Sequence, residues 1–130
     1  MENSEKLYQI AKHLNELNSK GKVKGFSGNE NGYAKIFQVI RGCSIWIHLE
    51  KNNDLIIDLM ISPTALEQHL TKCDLSIKKF TEYFQFKVKN SEWKHSIDKQ
   101  YEHDRYLVSV SDLLVEEILK HIEKLKKKFS

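Results

Sequence analysis

The chain has little of what marks secreted, membrane-spanning or metal-binding proteins. Its two cysteines, Cys43 and Cys73, are too few for a disulfide framework and form no CxxC pair. None of its six histidines has another histidine four positions away, the spacing of a helical zinc motif. No apolar run approaches the ~20 residues of a membrane span, and the first residues lack the pattern of a signal peptide. We therefore expect free, buried thiols in a cytoplasmic protein, with no membrane partner, metal or cofactor.

Strong charge of one sign is also missing. The net charge is +3, and the sequence pI of 8.8 lies below the value above ~9 that is typical of nucleic-acid-binding domains. No glycine-rich phosphate loop is present, because Gly25 and Gly28 have no lysine at P-loop spacing. What remains is ordinary for a globular protein: 40% hydrophobic and 30% charged residues in 130 positions, which predicts one domain. Frequent Lys, Asn and Ile suit a low-GC bacterial gene.

Hydrophobic periodicity predicts an α+β fold with a largely antiparallel sheet. The elements are an N-terminal helix over about 4–18, a β-meander over about 22–61, short middle helices after Ser62-Pro63 and near Ser76, strands near 84–89 and 105–110, and a long C-terminal helix capped by Ser111. The segment 90–104 is ambiguous: Trp93, Ile97 and Tyr101 are four apart, which permits a turn or two of helix.

The meander permits a prediction of strand register. A two-residue turn at Gly42-Cys43 would pair Ile40 with Ile45 and Lys35 with Glu50. Residues paired across two strands share a face, so the next loop must have an odd number of residues. Lys51-Asn52-Asn53 fits, with an asparagine in the left-handed conformation. This register pairs Trp46 with Asp58.

Two faces follow from these registers. The aliphatic face carries Ile36, Gln38, Ile40, Ile45, Ile47, Leu49, Leu55, Ile57, Leu59 and Ile61. The other, which we call the mixed face, carries Tyr33, Lys35, Phe37, Val39, Arg41, Trp46, His48, Ile56, Asp58 and Met60. A sheet face exposed to water is normally polar, so the mixed face must be covered by the chain itself, by a second copy or by a partner.

The mixed face supplies the main candidate binding residues, because Trp, Tyr, Met and Arg are enriched at protein interfaces. They are Tyr33, Phe37, Arg41, Trp46, His48, Asp58 and Met60. The polar stretch before the last predicted strand gives secondary candidates, His103, Asp104 and Arg105, since functional residues often lie on loops. No pattern indicates a catalytic residue. The same stretch is equally typical of a solvated turn.

Three functions therefore remain open. The first is a small module that binds another protein or a second copy of itself and has no catalysis of its own. The second is a nucleic-acid-binding accessory domain that stacks bases on the mixed face, helped by the C-terminal Lys124, Lys126, Lys127 and Lys128. The third is an enzyme with a site made of His103, or of His48 and Asp58, and an unknown substrate.

Overall fold

The structure, a computed structural model, describes residues 1–21, 28 and 34–129, and for 34–39, 84 and 125–129 it describes the backbone alone. The α+β fold is confirmed. The elements in chain order are α1 (Asn3–Ser19), β1 (Ala34–Ile40), β2 (Cys43–Leu49), β3 (Leu55–Ile61), α2 (Pro63–Thr71), α3 (Ile77–Phe84), β4 (Lys94–Asp98), β5 (His103–Ser109) and α4 (Val115–Phe129). The first part of the predicted meander, residues 22–33, falls outside the described residues, apart from residue 28.

The described strands form one antiparallel sheet in the order β1-β2-β3-β5-β4. The predicted β2–β3 register is confirmed, with Trp46 opposite Asp58 and His48 opposite Ile56. The loop between them also has the predicted conformation, because Asn53 has a φ of 66°. Face parity was sufficient here, since both strands alternate without interruption.

The predicted β1–β2 register is wrong. The turn is Arg41-Gly42, Ile40 pairs with Cys43, and a β-bulge lies between Gln38 and Ile40. Beyond the bulge Phe37 pairs with Ile45, and Ile36 pairs with Trp46. A bulge adds one residue to a strand and so exchanges the two faces on its far side, which is why this part of the predicted face assignment fails.

The strand predicted near 84–89 is also wrong. Helix α3 continues to Phe84, and the residues after it form a loop in which Val88 makes a single bridge to Ser91. Phe86 alternates with polar neighbours, but it packs edge-on against Trp93 at 5.4 Å and stacks on His121 at 4.1 Å. The fourth strand instead lies in the ambiguous segment, at Lys94–Asp98, where exposed side chains give no apolar alternation.

All four helices bury residues in one core with the aliphatic face. The core joins Leu7, Ile10 and Leu14 of α1, Leu66 and Leu70 of α2, Phe80 of α3, Ile118 and Ile122 of α4, and Ile45, Ile47, Leu55, Ile57, Leu59, Ile61 and Val108 of the sheet. Among the mixed-face residues whose side chains the structure describes, none belongs to this cluster. The described part of the fold is therefore a helical layer on one side of a five-stranded sheet.

A polar cluster fastens α1 to the sheet. Oγ of Ser111 accepts from the backbone N–H of Leu55 at 2.9 Å and from Nδ2 of Asn3 at 3.0 Å, and it donates to the carboxylate of Asp54. Nζ of Lys6 donates to the Ser111 carbonyl at 2.7 Å. Ser111 therefore does not cap the last helix as predicted, and α4 begins four residues later. No helix in the described residues is long and apolar enough to cross a membrane.

Candidate functional site

The mixed face continues from the meander onto the second half of the sheet. Asp58 pairs with Leu107, Met60 with Arg105 and Ile56 with Ser109. Because paired residues share a face, Arg105, Leu107 and Ser109 of β5 extend the mixed face beyond β3. The register of β4 adds Lys94, Ser96 and Asp98 at its margin.

Asp58 is the centre of this surface. Its side chain is only 2% exposed, on the middle strand of the sheet, and charged groups of both neighbouring strands reach it. From β5, Nε of Arg105 donates to Oδ2 at 3.1 Å and to Oδ1 at 3.3 Å, and Nη2 also donates to Oδ2. From β2, Nε2 of His48 lies 3.6 Å from Oδ2. A buried carboxylate needs such partners, because an unpaired buried charge is strongly unfavourable.

The electrostatics follow from this arrangement. Burial alone would raise the pKa of Asp58, but the interactions with His48 and Arg105 outweigh it and hold that pKa below its usual value. Asp58 in turn raises the pKa of His48, against the opposing effect of burial, and Glu50 adds to the rise. Glu50 lies 4.0 Å from Nδ1 of the same ring. The centre therefore favours a charged aspartate and a more readily protonated histidine.

Around Asp58, Ile56 is the only other described mixed-face side chain that is buried, and the rest are partly accessible. Trp46, Met60 and Leu107 are half-buried, and the His48 and Arg105 side chains are 17% and 31% exposed. Apolar groups thus surround a charged centre of which only the outer parts reach solvent. This combination of a desolvated centre and accessible aromatic, Met and Arg groups is typical of binding surfaces.

The structure separates the three secondary candidates. His103 and Arg105 lie on the mixed face, whereas Asp104 pairs with Ile61 of the aliphatic face. Oδ1 of Asp104 is hydrogen-bonded to Nε2 of His95 at 3.0 Å. The three residues therefore do not form one site, because Asp104 lies on the opposite face from His103 and Arg105. His103 lines a small cavity of about 190 Å³ with Trp46, Met60 and Ser62, and its buried Nδ1 has no hydrogen-bond partner among the described residues.

Three primary candidates lie away from the Asp58 centre or outside the description. Tyr33 is not among the described residues. Phe37 is described in its backbone alone, and its register partner is Ile45 of the aliphatic face. Arg41 is exposed in the β1–β2 turn rather than at the end of a strand. Leu107 was not among the predicted binding residues, although the β3–β5 register places it next to Asp58.

The remaining chemistry is sparse. Within the described ranges, no three His, Cys, Asp or Glu side chains are grouped so that they could hold a metal ion. Cys43 is buried, and burial raises the pKa of its thiol, which makes it a poor nucleophile. Cys73 is exposed, contrary to the expectation that both thiols are buried.

A second concavity lies at the other end of β5. It has a volume of about 1170 Å³ and is lined by the 85–94 segment, including Phe86, Trp93 and Lys94, and by Leu107 and Ser109. The indole N–H of Trp93 donates to the Phe86 carbonyl at 2.7 Å, so the ring is held in the wall of the cleft. Comparison of the chain with protein-family models, with curated proteins and with solved structures finds no match.

Proposed function

We propose that this chain is a cytoplasmic protein-binding module that uses the mixed face and has no catalysis of its own. One observation carries the proposal: the described helices all cover the aliphatic face, while Trp46, Met60, Leu107 and Arg105 stay partly accessible on the other. A free thiol on Cys73, exposed at the surface, favours a reducing compartment.

The charges favour a particular kind of partner. Asp58 takes the donors on one edge of the Arg105 guanidinium, and a guanidinium has five N–H donors in all. Part of this side chain remains exposed. A partner segment with aliphatic or aromatic side chains for Trp46 and Met60, and a carbonyl or carboxylate acceptor for Arg105, would complement the surface. Such aromatic and arginine anchors contribute most of the affinity in many protein complexes.

The test compares three versions of the full chain as bait in an extract of the source cells. The Trp46→Ala variant removes the central ring, and Leu114→Ala removes a side chain that is 64% exposed outside the mixed face. A partner retained by the wild type and by Leu114→Ala is then purified. We expect Trp46→Ala to weaken its binding by at least about 2 kcal/mol, or ~30-fold in dissociation constant.

Circular dichroism and urea unfolding show whether Trp46→Ala still folds. If it does not, Met60→Ala on the neighbouring strand replaces it, because this side chain is smaller and half-buried. Unchanged affinity in the folded variants would contradict the proposal. So would capture of RNA or DNA in place of a protein, with binding that falls steeply as salt is added.

A further inference from the structure

A second surface of the sheet is its outer edge at β4. In the sheet order this strand has β5 on one side and, among the described residues, no strand on the other. The backbone groups on the outer side of an edge strand are available to pair with another chain. Its side chains are also accessible: Lys94 to Ile97 are all exposed.

The sequence of this strand is self-complementary. If two copies of β4 pair antiparallel about Ser96, Lys94 of each copy lies opposite Asp98 of the other. The five positions Lys94–Asp98 are then all paired, and two opposite-charge pairs form directly across the new ladder. A shift of two residues in either direction loses both charge pairs and shortens the ladder. One register is therefore favoured over its neighbours.

The apolar residue of the strand fits the same register. Ile97 is 60% exposed and is one of five large hydrophobic side chains that are exposed among the described residues. In the Ser96-centred pairing it lies opposite His95 of the second copy. That ring is already held in place, because it stacks on Tyr106 at 4.6 Å and bonds Asp104. Ile97 would thus pack beside an ordered aromatic pair instead of facing water.

We propose that β4 is a homodimer interface, in which two copies join edge to edge so that the five described strands of each form one continuous sheet. A lone lysine on an edge strand normally opposes pairing, but here Asp98 compensates Lys94 only when the partner is a second copy in this register. Lys94, Ser96 and Asp98 belong to the mixed face in both copies, so both mixed faces would lie on the same side of the dimer. The proposal does not depend on what the mixed face binds.

Two short strands bury less surface than the ~1,200 Å² of a standard stable interface, so we expect a weak dimer in the micromolar range or above. Sedimentation of the full chain over a concentration series should give an average mass that rises from one chain towards two. Hydrogen exchange at those amides of Lys94–Asp98 that point away from β5 should slow over the same concentrations.

Charge reversal tests the register. In Lys94→Glu the two pairs become Glu opposite Asp, and in Asp98→Lys they become Lys opposite Lys. We expect each variant alone to dimerise at least tenfold more weakly than the wild type. An equimolar mixture of the two should associate again, because each interchain pair in the mixed dimer joins opposite charges. Leu114→Ala, which removes an exposed side chain outside β4, should dimerise like the wild type.

A further variant covers the case in which Asp98→Lys does not fold, since Asp98 also accepts from the backbone N–H of Gln100 at 3.1 Å. Ile97→Lys leaves that turn intact and places a charge within the interface, opposite His95 of the second copy, and it should be monomeric. A wild-type chain that stays monomeric up to ~1 mM, a Lys94→Glu or Ile97→Lys variant that dimerises normally, or folded charge variants that fail to associate when mixed, would overturn the proposal.

Discussion

Replacing Arg105 by methionine should destabilise the fold more than removing the charge of Asp58 itself. In Arg105→Met the Asp58 carboxylate stays 2% exposed and keeps only His48 as a partner. In Asp58→Asn the guanidinium loses its partner but is 31% exposed, so water can solvate it. The two variants therefore leave unpaired charges in different surroundings, and the buried one is the more unfavourable.

The magnitudes follow from burial. Breaking a fully buried ion pair costs about 3–5 kcal/mol, and the remaining His48 reduces this to about 2–4 kcal/mol for Arg105→Met. Loss of a charged hydrogen-bond partner from the more exposed side predicts about 1–2 kcal/mol for Asp58→Asn. The double variant should be close to Asp58→Asn alone, because methionine no longer strands a buried charge. Urea unfolding of the four chains at pH 7 measures this cycle.

The same variant has a pH signature. In the wild type the pKa of Asp58 is lowered, so its contribution to stability is present above its unfolded pKa and is lost as pH falls through the folded value. In Arg105→Met burial still raises the pKa of Asp58, while the hydrogen bonds and charge of Arg105 no longer lower it, so the folded pKa of Asp58 rises even though His48 remains. The stability difference between the two chains should therefore shrink as pH falls from 7 to 4. A pH-independent difference, or a smaller loss than in Asp58→Asn, would refute the reasoning.

Three further outcomes are expected. In the wild type, protonated His48 contributes a stabilisation that is full below pH ~6.5 and is lost as pH rises through the raised pKa of His48. His48→Gln should remove it, so the melting temperature should vary less with pH between 5.5 and 8 than in the wild type. Cys73 should react with a thiol reagent in the native chain, and Cys43 only after denaturant is added. Equal reaction rates in the native chain would contradict the burial of Cys43. Ser111→Ala should lower the free energy of unfolding by about 1–3 kcal/mol, since it removes one side chain that bonds both α1 and β3; a loss no larger than that of Ser4→Ala, an exposed control, would show otherwise.

The meander shows what face parity can and cannot predict. Between β2 and β3 the pattern of alternation and a three-residue loop were enough to pair Trp46 with Asp58. Between β1 and β2 the same reasoning failed, because no residue type marks the bulge between Gln38 and Ile40. The turn at Arg41-Gly42 changes each predicted partner by two positions, and beyond the bulge the unpaired residue changes it by one more and exchanges the faces.

The charged centre could be predicted only in part. His48 and Asp58 were placed on one face because they lie on adjacent strands joined by a short loop. Arg105 was a candidate for a different reason, as part of a polar stretch. Its pairing with Asp58 depends on the register between β3 and β5, which are separated by the forty-one residues 62–102. A connection of that length fixes no register by itself, since two helices and a strand intervene. The strands were misassigned there for a related reason, because an exposed edge strand such as Lys94–Asp98 has no apolar alternation to detect.

The buried charge of Asp58 also bears on why the sheet has two distinct faces. Both sides of β3 are rich in aliphatic residues, so the hydrophobic pattern alone only weakly determines which side faces the helices. A slip of β3 by one residue would turn the Asp58 carboxylate towards the core, away from Arg105 and His48. An uncompensated buried charge would make that state less stable by several kcal/mol. The ion pair with Arg105 therefore adds to the short β2–β3 loop in favouring the observed register of the central strand. Asp58 therefore both makes the mixed face polar and helps to keep the aliphatic face against the helices.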